Sequence, residues 1–131
     1  LVSQELQERV RDLTDSFGST FDIAEKDFDT FTALAGSSPA YIYLFIEALA
    51  KAGVKNGIPK AKALEIVTQT VLASANNLLA SSQSPHDFID AICSPGGTTI
   101  AGLLELERLG LTATVSSAID KTIDKAKQLQ K

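Results

Sequence analysis

Residues 41–50 read YIYLFIEALA and decide how this chain of 131 residues can fold. Glu47 is the only charged residue among them, so a helix formed here is apolar on nearly every side. Such a helix has to be covered on most of its surface, and a chain of this length does that with difficulty alone. The segment therefore predicts a helix that a second copy of the chain covers.

Helix-start and helix-stop signals divide the sequence around this segment into further helices. Ser37, Ser38 and Pro39 predict a helix start, because serine caps a helix and proline is tolerated in the first turn. Ser84 and Pro85 repeat this pattern before a short helix. The helices predicted beyond residue 36 span residues 37–53, 59–81, 84–92, 98–108 and 112–130. The predicted fold class is all-α, a helical bundle.

The N-terminal part predicts a different organisation. Four apolar residues are spaced four, three and four apart: Leu6, Val10, Leu13 and Phe17. This spacing indicates an amphipathic helix over residues 1–17. Residues 19–23, STFDI, alternate polar and apolar types and predict a short strand with no evident partner. The acidic residues 25–29 predict a linker. Since position 1 is not Met, we expect the chain to be part of a longer protein.

Composition argues against several classes of partner. The chain has 12 basic and 16 acidic residues, a net charge of −4, whereas nucleic-acid partners require clustered Lys and Arg. No apolar run approaches the roughly 18 to 20 residues of a membrane-spanning helix. One cysteine, Cys93, and one histidine, His86, are too few for a structural zinc site or an internal disulfide. We therefore expect a metal-free, cytoplasmic domain without nucleic-acid or membrane partners.

Residues 94–99, SPGGTT, form the strongest candidate for ligand binding. The paired glycines allow a tight turn with exposed N–H groups, and a helix beginning near Thr98 adds the partial positive charge of its N-terminus. These features predict a seat for an anion. A plain helix–helix turn with a threonine cap is the alternative, which the sequence leaves open.

Other candidates are weaker. Residues 36–39, GSSP, form a second turn at a helix start, with a simple capping turn as the alternative. His86 is expected on the surface and Cys93 in the core, rather than in acid–base or thiol chemistry. The sequence contains neither the glycine-rich dinucleotide motif nor a phosphate loop.

Three segments in order resemble the C-terminal half of pyrroline-5-carboxylate reductase. They are FTALAGSSPAY at residues 31–41, AGVKNGIP at 52–59 and SPGGTTIAGL at 94–103. The resemblance implies an all-helical domain that dimerises by interleaving helices, assembled into a decamer in many members. It also implies NADPH or NADH, bound mainly by an N-terminal dinucleotide-binding domain. Residues 1–26 would be the remnant of that domain plus a linker, and residues 27–131 the helical domain.

The resemblance also assigns roles to individual residues. The substrate-binding turn comprises Ser94, Gly96, Gly97, Thr98 and Thr99. The amides near Gly97 and Thr98 would hold the substrate carboxylate, and the Thr99 hydroxyl would contact the ring nitrogen as the catalytic contact. The residues implied near the nicotinamide are Ser37, Ser38 and Pro39, with Ser38 standing where the family usually has glycine. It would narrow the pocket or extend the helix cap.

The implied reaction is hydride transfer to 1-pyrroline-5-carboxylate, a small anionic substrate, to give L-proline. We expect this chain alone to be inactive, because the coenzyme domain would be missing. The alternative function is a non-catalytic, all-helical module that associates with itself. The helical domain of another two-domain dehydrogenase is a weaker third possibility, which the SPGGTT block disfavours.

Overall fold

A computed structural model describes residues 2–16 and 18–129. The helices are α1 Gln4–Asp15, α2 Phe28–Phe31, α3 Ser38–Lys55, α4 Lys60–Leu79, α5 Pro85–Ile92, α6 Thr98–Arg108 and α7 Leu111–Leu129. A 3₁₀ turn, Glu25–Asp27, precedes α2, and a π-helical segment, Thr32–Ser37, joins α2 to α3. This part of the chain contains no strand, and the all-α prediction is confirmed.

The predicted N-terminal helix is confirmed as α1, which Ser3 caps by accepting a hydrogen bond from the Leu6 N–H. Its apolar residues are at least half exposed, with Leu6 and Val10 at 51% and Leu13 at 64%. Phe17, the last residue of the predicted stripe, lies outside the described residues. The apolar side of α1 is therefore left largely uncovered by the described residues.

The strand predicted at residues 19–23 is wrong. This segment is irregular and is tied to α1 by polar contacts rather than by a sheet. The Thr20 N–H donates to Asp15 Oδ1 at 3.0 Å, and Arg11 pairs with Asp22. Alternation of residue types is not enough for a strand, because strand hydrogen bonds need a neighbouring strand and the described residues provide none.

The chain is helical without a break over Glu25–Lys55, so the helix start predicted at Ser37, Ser38 and Pro39 is wrong. Ser37 has helical dihedral angles, φ −96° and ψ −38°, and its side chain caps nothing. A proline inside an α-helix lacks one N–H donor, and its ring clashes with the carbonyl four residues earlier. The π turn just before Pro39 carries the helix through the proline instead of ending it.

The linker predicted at residues 25–29 is also wrong, because this stretch begins the same helix. Glu25–Asp27 form the 3₁₀ turn, and α2 continues from Phe28. Acidic side chains favour a helix N-terminus, where unpaired N–H groups give a partial positive charge. The acidic composition that indicated a linker therefore suits a helix start.

By length and composition alone, Glu25–Lys55 is apolar enough to cross a membrane, with a mean hydropathy of 1.2 in its best window. The helix is this long because Pro39 does not end it, while its sequence still contains no unbroken apolar run of roughly 18 to 20 residues. Only 11% of that window is buried within the chain. A helix that packs against another protein chain passes the same test of length and composition.

Most of the packing among the described residues lies in two regions. The helices α3 and α4 pack against each other as a hairpin, while α7 returns to lie against α2 and the π-helical segment. A Cβ placed on Gly53 would lie 3.2 Å from the Ala63 Cβ, so the hairpin helices approach closely. Lys60 at the start of α4 pairs with Glu47 of α3, a partly exposed link between the two helices of the hairpin.

The core formed by one chain is very small. The buried apolar residues in the described part are three alanines, Ala33, Ala50 and Ala63. The chain exposes 10625 Å², whereas a compact monomer of its mass exposes about 6,700 Å². The excess of about 4,000 Å² is too large for an independent globular protein. The described helices are therefore left largely uncovered within this chain.

Candidate functional site

The SPGGTT turn leads from α5 into α6. The Gly97 N–H donates to the Ser94 carbonyl at 3.0 Å, and Gly96 has a φ of +70°. A positive φ is costly for residues with a side chain, so position 96 favours glycine. Gly97 then has extended dihedral angles and forms the N-cap of α6, which begins at Thr98. The predicted tight turn is confirmed.

Gly97 is required for a different reason, which is space. A Cβ at position 97 would lie 2.4 Å from Ser94 Oγ and 3.1 Å from the Ser94 carbonyl oxygen. The side chain and backbone of Ser94 therefore fill the space that any larger residue would need. The two glycines have separate roles, one in backbone conformation and one in close approach.

The N-terminus of α6 has no side-chain cap. Thr98 and Thr99 lie in the first helical turn rather than at the cap position, and both are exposed. The threonine cap considered as the alternative is therefore not formed. The first N–H groups of α6 lack helical acceptors and face the turn, an arrangement suited to an anion.

A groove of about 620 Å³ lies between the helix that contains the π-helical segment and α7. Tyr41 spans it and is hydrogen-bonded through its hydroxyl to Thr122 of α7. Ser37 lines the groove, and Lys121 and Lys125 line it from α7. The spacing of four residues between the two lysines could have indicated that they share one face of a helix. It could not have indicated which element that face lies against.

The three residues predicted near the nicotinamide have different surroundings. Ser37 is half-buried and lines the groove. The Ser38 hydroxyl donates to the Leu34 carbonyl within the helix, so it neither narrows this groove nor caps a helix. Pro39 is exposed on the first turn of α3. Of the three, Ser37 has a side chain facing the groove.

The turn and the groove lie in separate regions of one chain. The main packing partner of α6 is α7, and no hydrogen bond of the described residues joins residues 94–99 to residues 37–39. One chain does not bring the two predicted parts of the site together. A site that uses both needs a further chain or domain.

The chain's histidine and cysteine do not form a further site. His86 is exposed in the first turn of α5, where Ser84 hydrogen-bonds Asp87 and lowers the pKa of its carboxyl. Cys93 is half-buried at the end of that helix. Within the described part of the chain, no group of three His, Cys, Asp or Glu is placed to hold a metal ion.

Residues 25–129 match the family model described as pyrroline-5-carboxylate reductase dimerisation. The chain is 44% identical over 128 residues to the pyrroline-5-carboxylate reductase of Aquifex aeolicus, covering 98% of this chain and 48% of that protein. The chain spans about half the length of the curated relatives it matches.

Solved structures give the same family. The 1-pyrroline-5-carboxylate reductase of Streptococcus pyogenes is 94% identical, with a TM-score of 0.92 over 98% of this chain and 49% of that one. The pyrroline carboxylate reductase of Plasmodium falciparum, solved with NADP bound, is 38% identical with a TM-score of 0.91. That match covers 99% of this chain and 52% of the Plasmodium chain.

Proposed function

This chain belongs to the pyrroline-5-carboxylate reductase family, and we propose that it supplies the dimerising and substrate-binding half of such a reductase. The proposed reaction reduces the C=N bond of 1-pyrroline-5-carboxylate to give L-proline. The imine carbon gains a hydride, and the ring nitrogen keeps the proton of the iminium form. The match of residues 25–129 to the dimerisation domain is the observation that carries the proposal.

The substrate carboxylate is proposed to bind at the SPGGTT turn. Supporting this are the uncapped N–H groups at the start of α6 and the close approach of Gly97 to Ser94. Ser94 and Gly96 shape the turn, and the amides of Gly97 and Thr98 are proposed to hold the carboxylate, with the Gly97 N–H shared between it and the Ser94 carbonyl. An oriented set of N–H groups at a helix N-terminus stabilises an anion without a nearby cation.

The Thr99 hydroxyl is proposed to orient the ring nitrogen of the substrate. Thr99 follows the proposed carboxylate site in the first turn of α6, and its side chain is exposed. An iminium nitrogen donates a hydrogen bond, and a threonine oxygen can accept it. Binding the carboxylate and the nitrogen together fixes which carbon atom is presented for reduction.

The coenzyme is proposed to be NADPH or NADH, held mainly by the part of the relatives that this chain does not cover. When bound, the reduced nicotinamide supplies the hydride. The sequence has no glycine-rich dinucleotide motif. Ser37 lines a groove beside α7 and can contact the nicotinamide end, with Ser38 and Pro39 next to it in the chain.

The active assembly is proposed to be a homodimer with interleaved helices. The alternative is a decamer built from such dimers. Residues 1–26 would continue the coenzyme domain, and residues 27–131 would form the helical domain. The poorly covered apolar helices support the dimer, since a partner chain would bury them. We place the reaction in the cytoplasm, where it would draw on the reduced coenzyme pool, without nucleic acid or membrane as partners.

The test joins this chain to the half of the Streptococcus pyogenes reductase that it does not cover, a protein called the joined enzyme below. We expect the joined enzyme to oxidise reduced coenzyme only when pyrroline-5-carboxylate is present and to produce proline. We expect no rate from the 131-residue chain alone. A soluble, dimeric joined enzyme without this activity, or a rate from the chain alone, would contradict the proposal.

A further inference from the structure

We infer that Ser38 is a positioning residue, whose hydroxyl holds the π-helical segment in register and so keeps Ser37 and Tyr41 facing α7. The structural part of this inference concerns the backbone of Thr32–Ser37. Its consequence for coenzyme binding rests on the function proposed above.

The hydroxyl of Ser38 replaces a hydrogen bond that the chain cannot form. In the π-helical segment the Ser38 N–H donates to the Ala33 carbonyl, five residues earlier. The next donor in that register would be the N–H of residue 39, directed to the Leu34 carbonyl, but proline has no N–H. The Ser38 hydroxyl donates to this same Leu34 carbonyl. It thus supplies the donor that Pro39 lacks.

The π register determines which residues face α7. Four groove-lining residues recur at every fourth position: Asp29, Ala33, Ser37 and Tyr41. A regular α-helix turns about 100° per residue, so three such steps would rotate the last position by about 120° from the first. The wider π turn rotates less per residue and removes much of that drift. A purely α-helical segment would therefore turn Tyr41 away from Thr122, its hydrogen-bond partner.

Ser74 provides a matched control within the same chain. Its hydroxyl also donates to a carbonyl four residues earlier, that of Thr70, at 2.9 Å. Ser74 lies inside α4, where the Thr70 carbonyl also accepts the regular helical N–H bond. Removing the Ser74 hydroxyl leaves that carbonyl bonded, whereas removing the Ser38 hydroxyl leaves the Leu34 carbonyl without the donor that replaces Pro39.

The first measurement is amide hydrogen exchange on the 131-residue chain. We expect Ser38→Ala to accelerate exchange at the amides of residues 37 and 38 by about three- to tenfold, the loss of one neutral hydrogen bond. Ser74→Ala should leave those amides unchanged. Ser38→Thr should restore slow exchange, because threonine hydroxyls form the same bond to a preceding helical carbonyl. Equal exchange in the Ser38→Ala and wild-type chains would overturn the inference.

The second measurement is steady-state kinetics of the joined enzyme. We expect Ser38→Ala to raise the KM for coenzyme about three- to tenfold with kcat changed by less than about twofold, since the hydroxyl acts on binding geometry. Ser38→Thr should recover the low KM, and Ser74→Ala should keep it. A coenzyme KM equal in Ser38→Ala and Ser74→Ala would overturn the link to the coenzyme. If the wild-type joined enzyme is inactive, the proposed function fails, while the exchange measurement still decides the role of Ser38.

Discussion

At the scale of single residues, Gly97 is packed closely against Ser94, which leaves little space for a larger side chain. A Cβ there would lie 2.4 Å from Ser94 Oγ. We predict that Gly97→Ala displaces Ser94 and raises the KM for pyrroline-5-carboxylate in the joined enzyme at least about tenfold, the equivalent of about 1.4 kcal/mol. The kinetic assay with varied substrate concentration measures this directly.

Gly102 is the control for that substitution, because it lies in the same helix with no heavy atom within 4 Å of an added Cβ. We expect Gly102→Ala to stabilise the chain by about 0.5 to 1 kcal/mol through higher helix propensity. Its substrate KM should stay at the wild-type value. If Gly102→Ala and Gly97→Ala raise the KM equally, the space around Gly97 is not what matters for the site.

Thr99 provides the second test at this scale. We predict that Thr99→Ala lowers kcat/KM of the joined enzyme by at least about tenfold, since one directed hydrogen bond to a charged group contributes about 1.5 to 3 kcal/mol. Thr112→Ala is the matched control, because Thr112 also lies exposed in the first turn of a helix, α7. An unchanged kcat/KM for Thr99→Ala would contradict the proposal that this hydroxyl orients the ring nitrogen of the substrate.

Sequence patterns could predict the turn but not its detailed chemistry. The two glycines of the SPGGTT segment were enough to predict a tight turn before α6, as the structure confirms. The threonine cap was a reasonable alternative because threonine is a common cap, yet Gly97 occupies that position. The role inferred for Ser38 could not be predicted from the sequence, because it depends on which backbone carbonyl lacks a donor as a result of Pro39.

At the scale of helices, the link between α3 and α4 depends on pH. The hydrogen bond from Lys60 lowers the pKa of Glu47 from its ordinary value of 4.5, with Lys51 contributing by charge. A lowered pKa in the folded chain means that folding favours the carboxylate. The stabilisation is therefore present above the unfolded-state pKa and is lost as the pH falls through the lower, folded-state pKa.

We predict that Glu47→Gln lowers the urea midpoint at pH 7 and has less effect at an acidic pH below the folded-state pKa of Glu47, where the wild-type carboxyl has lost its charge. The pair is partly exposed, so salt should also weaken the difference. Glu65→Gln is the control, because Glu65 pairs with Lys62 of the same helix, α4, so that this ion pair does not link two helices. A Glu47→Gln effect of equal size at both pH values would show that charge is not its cause.

Helix positions were largely predictable, and the three wrong predictions have a common physical origin. Apolar spacing and cap signals placed α1 and α4 to α7 within about two or three residues of the structure at their described ends. The strand at residues 19–23, the linker at residues 25–29 and the helix start at Pro39 were inferred from local residue types alone. A strand depends on a partner elsewhere, and a proline is tolerated in mid-helix where a π turn accommodates it.

At the scale of the whole molecule, the exposed apolar surface predicts an obligate assembly. Leu44 of α3 is 70% exposed in one chain, within the segment that matches the dimerisation domain. We predict that Leu44→Glu breaks the dimer and lowers the unfolding midpoint, because a partner would otherwise bury this side chain and cannot bury the charge. Sedimentation equilibrium and urea unfolding measure the two effects.

Leu13→Glu is the matched control for that variant. Leu13 is 64% exposed and lies in α1, outside the residues that match the dimerisation domain. We expect its variant to remain dimeric at the same chain concentration. Dimers of equal stability in the two variants would mean that α3 does not lie in the interface, and a monomeric wild-type chain would contradict the predicted assembly itself.

The most direct test of the central claim is amide hydrogen exchange of the joined enzyme with and without saturating L-proline. If the SPGGTT turn holds the carboxylate, proline should slow exchange at Gly97, Thr98 and Thr99. The first-turn amides of α7 serve as the control, because α7 also begins with unpaired N–H groups. Their exchange should be unaffected, since α7 does not begin at the proposed substrate site. Unchanged exchange at residues 97–99 while proline is bound would contradict the claim that this turn is the substrate site.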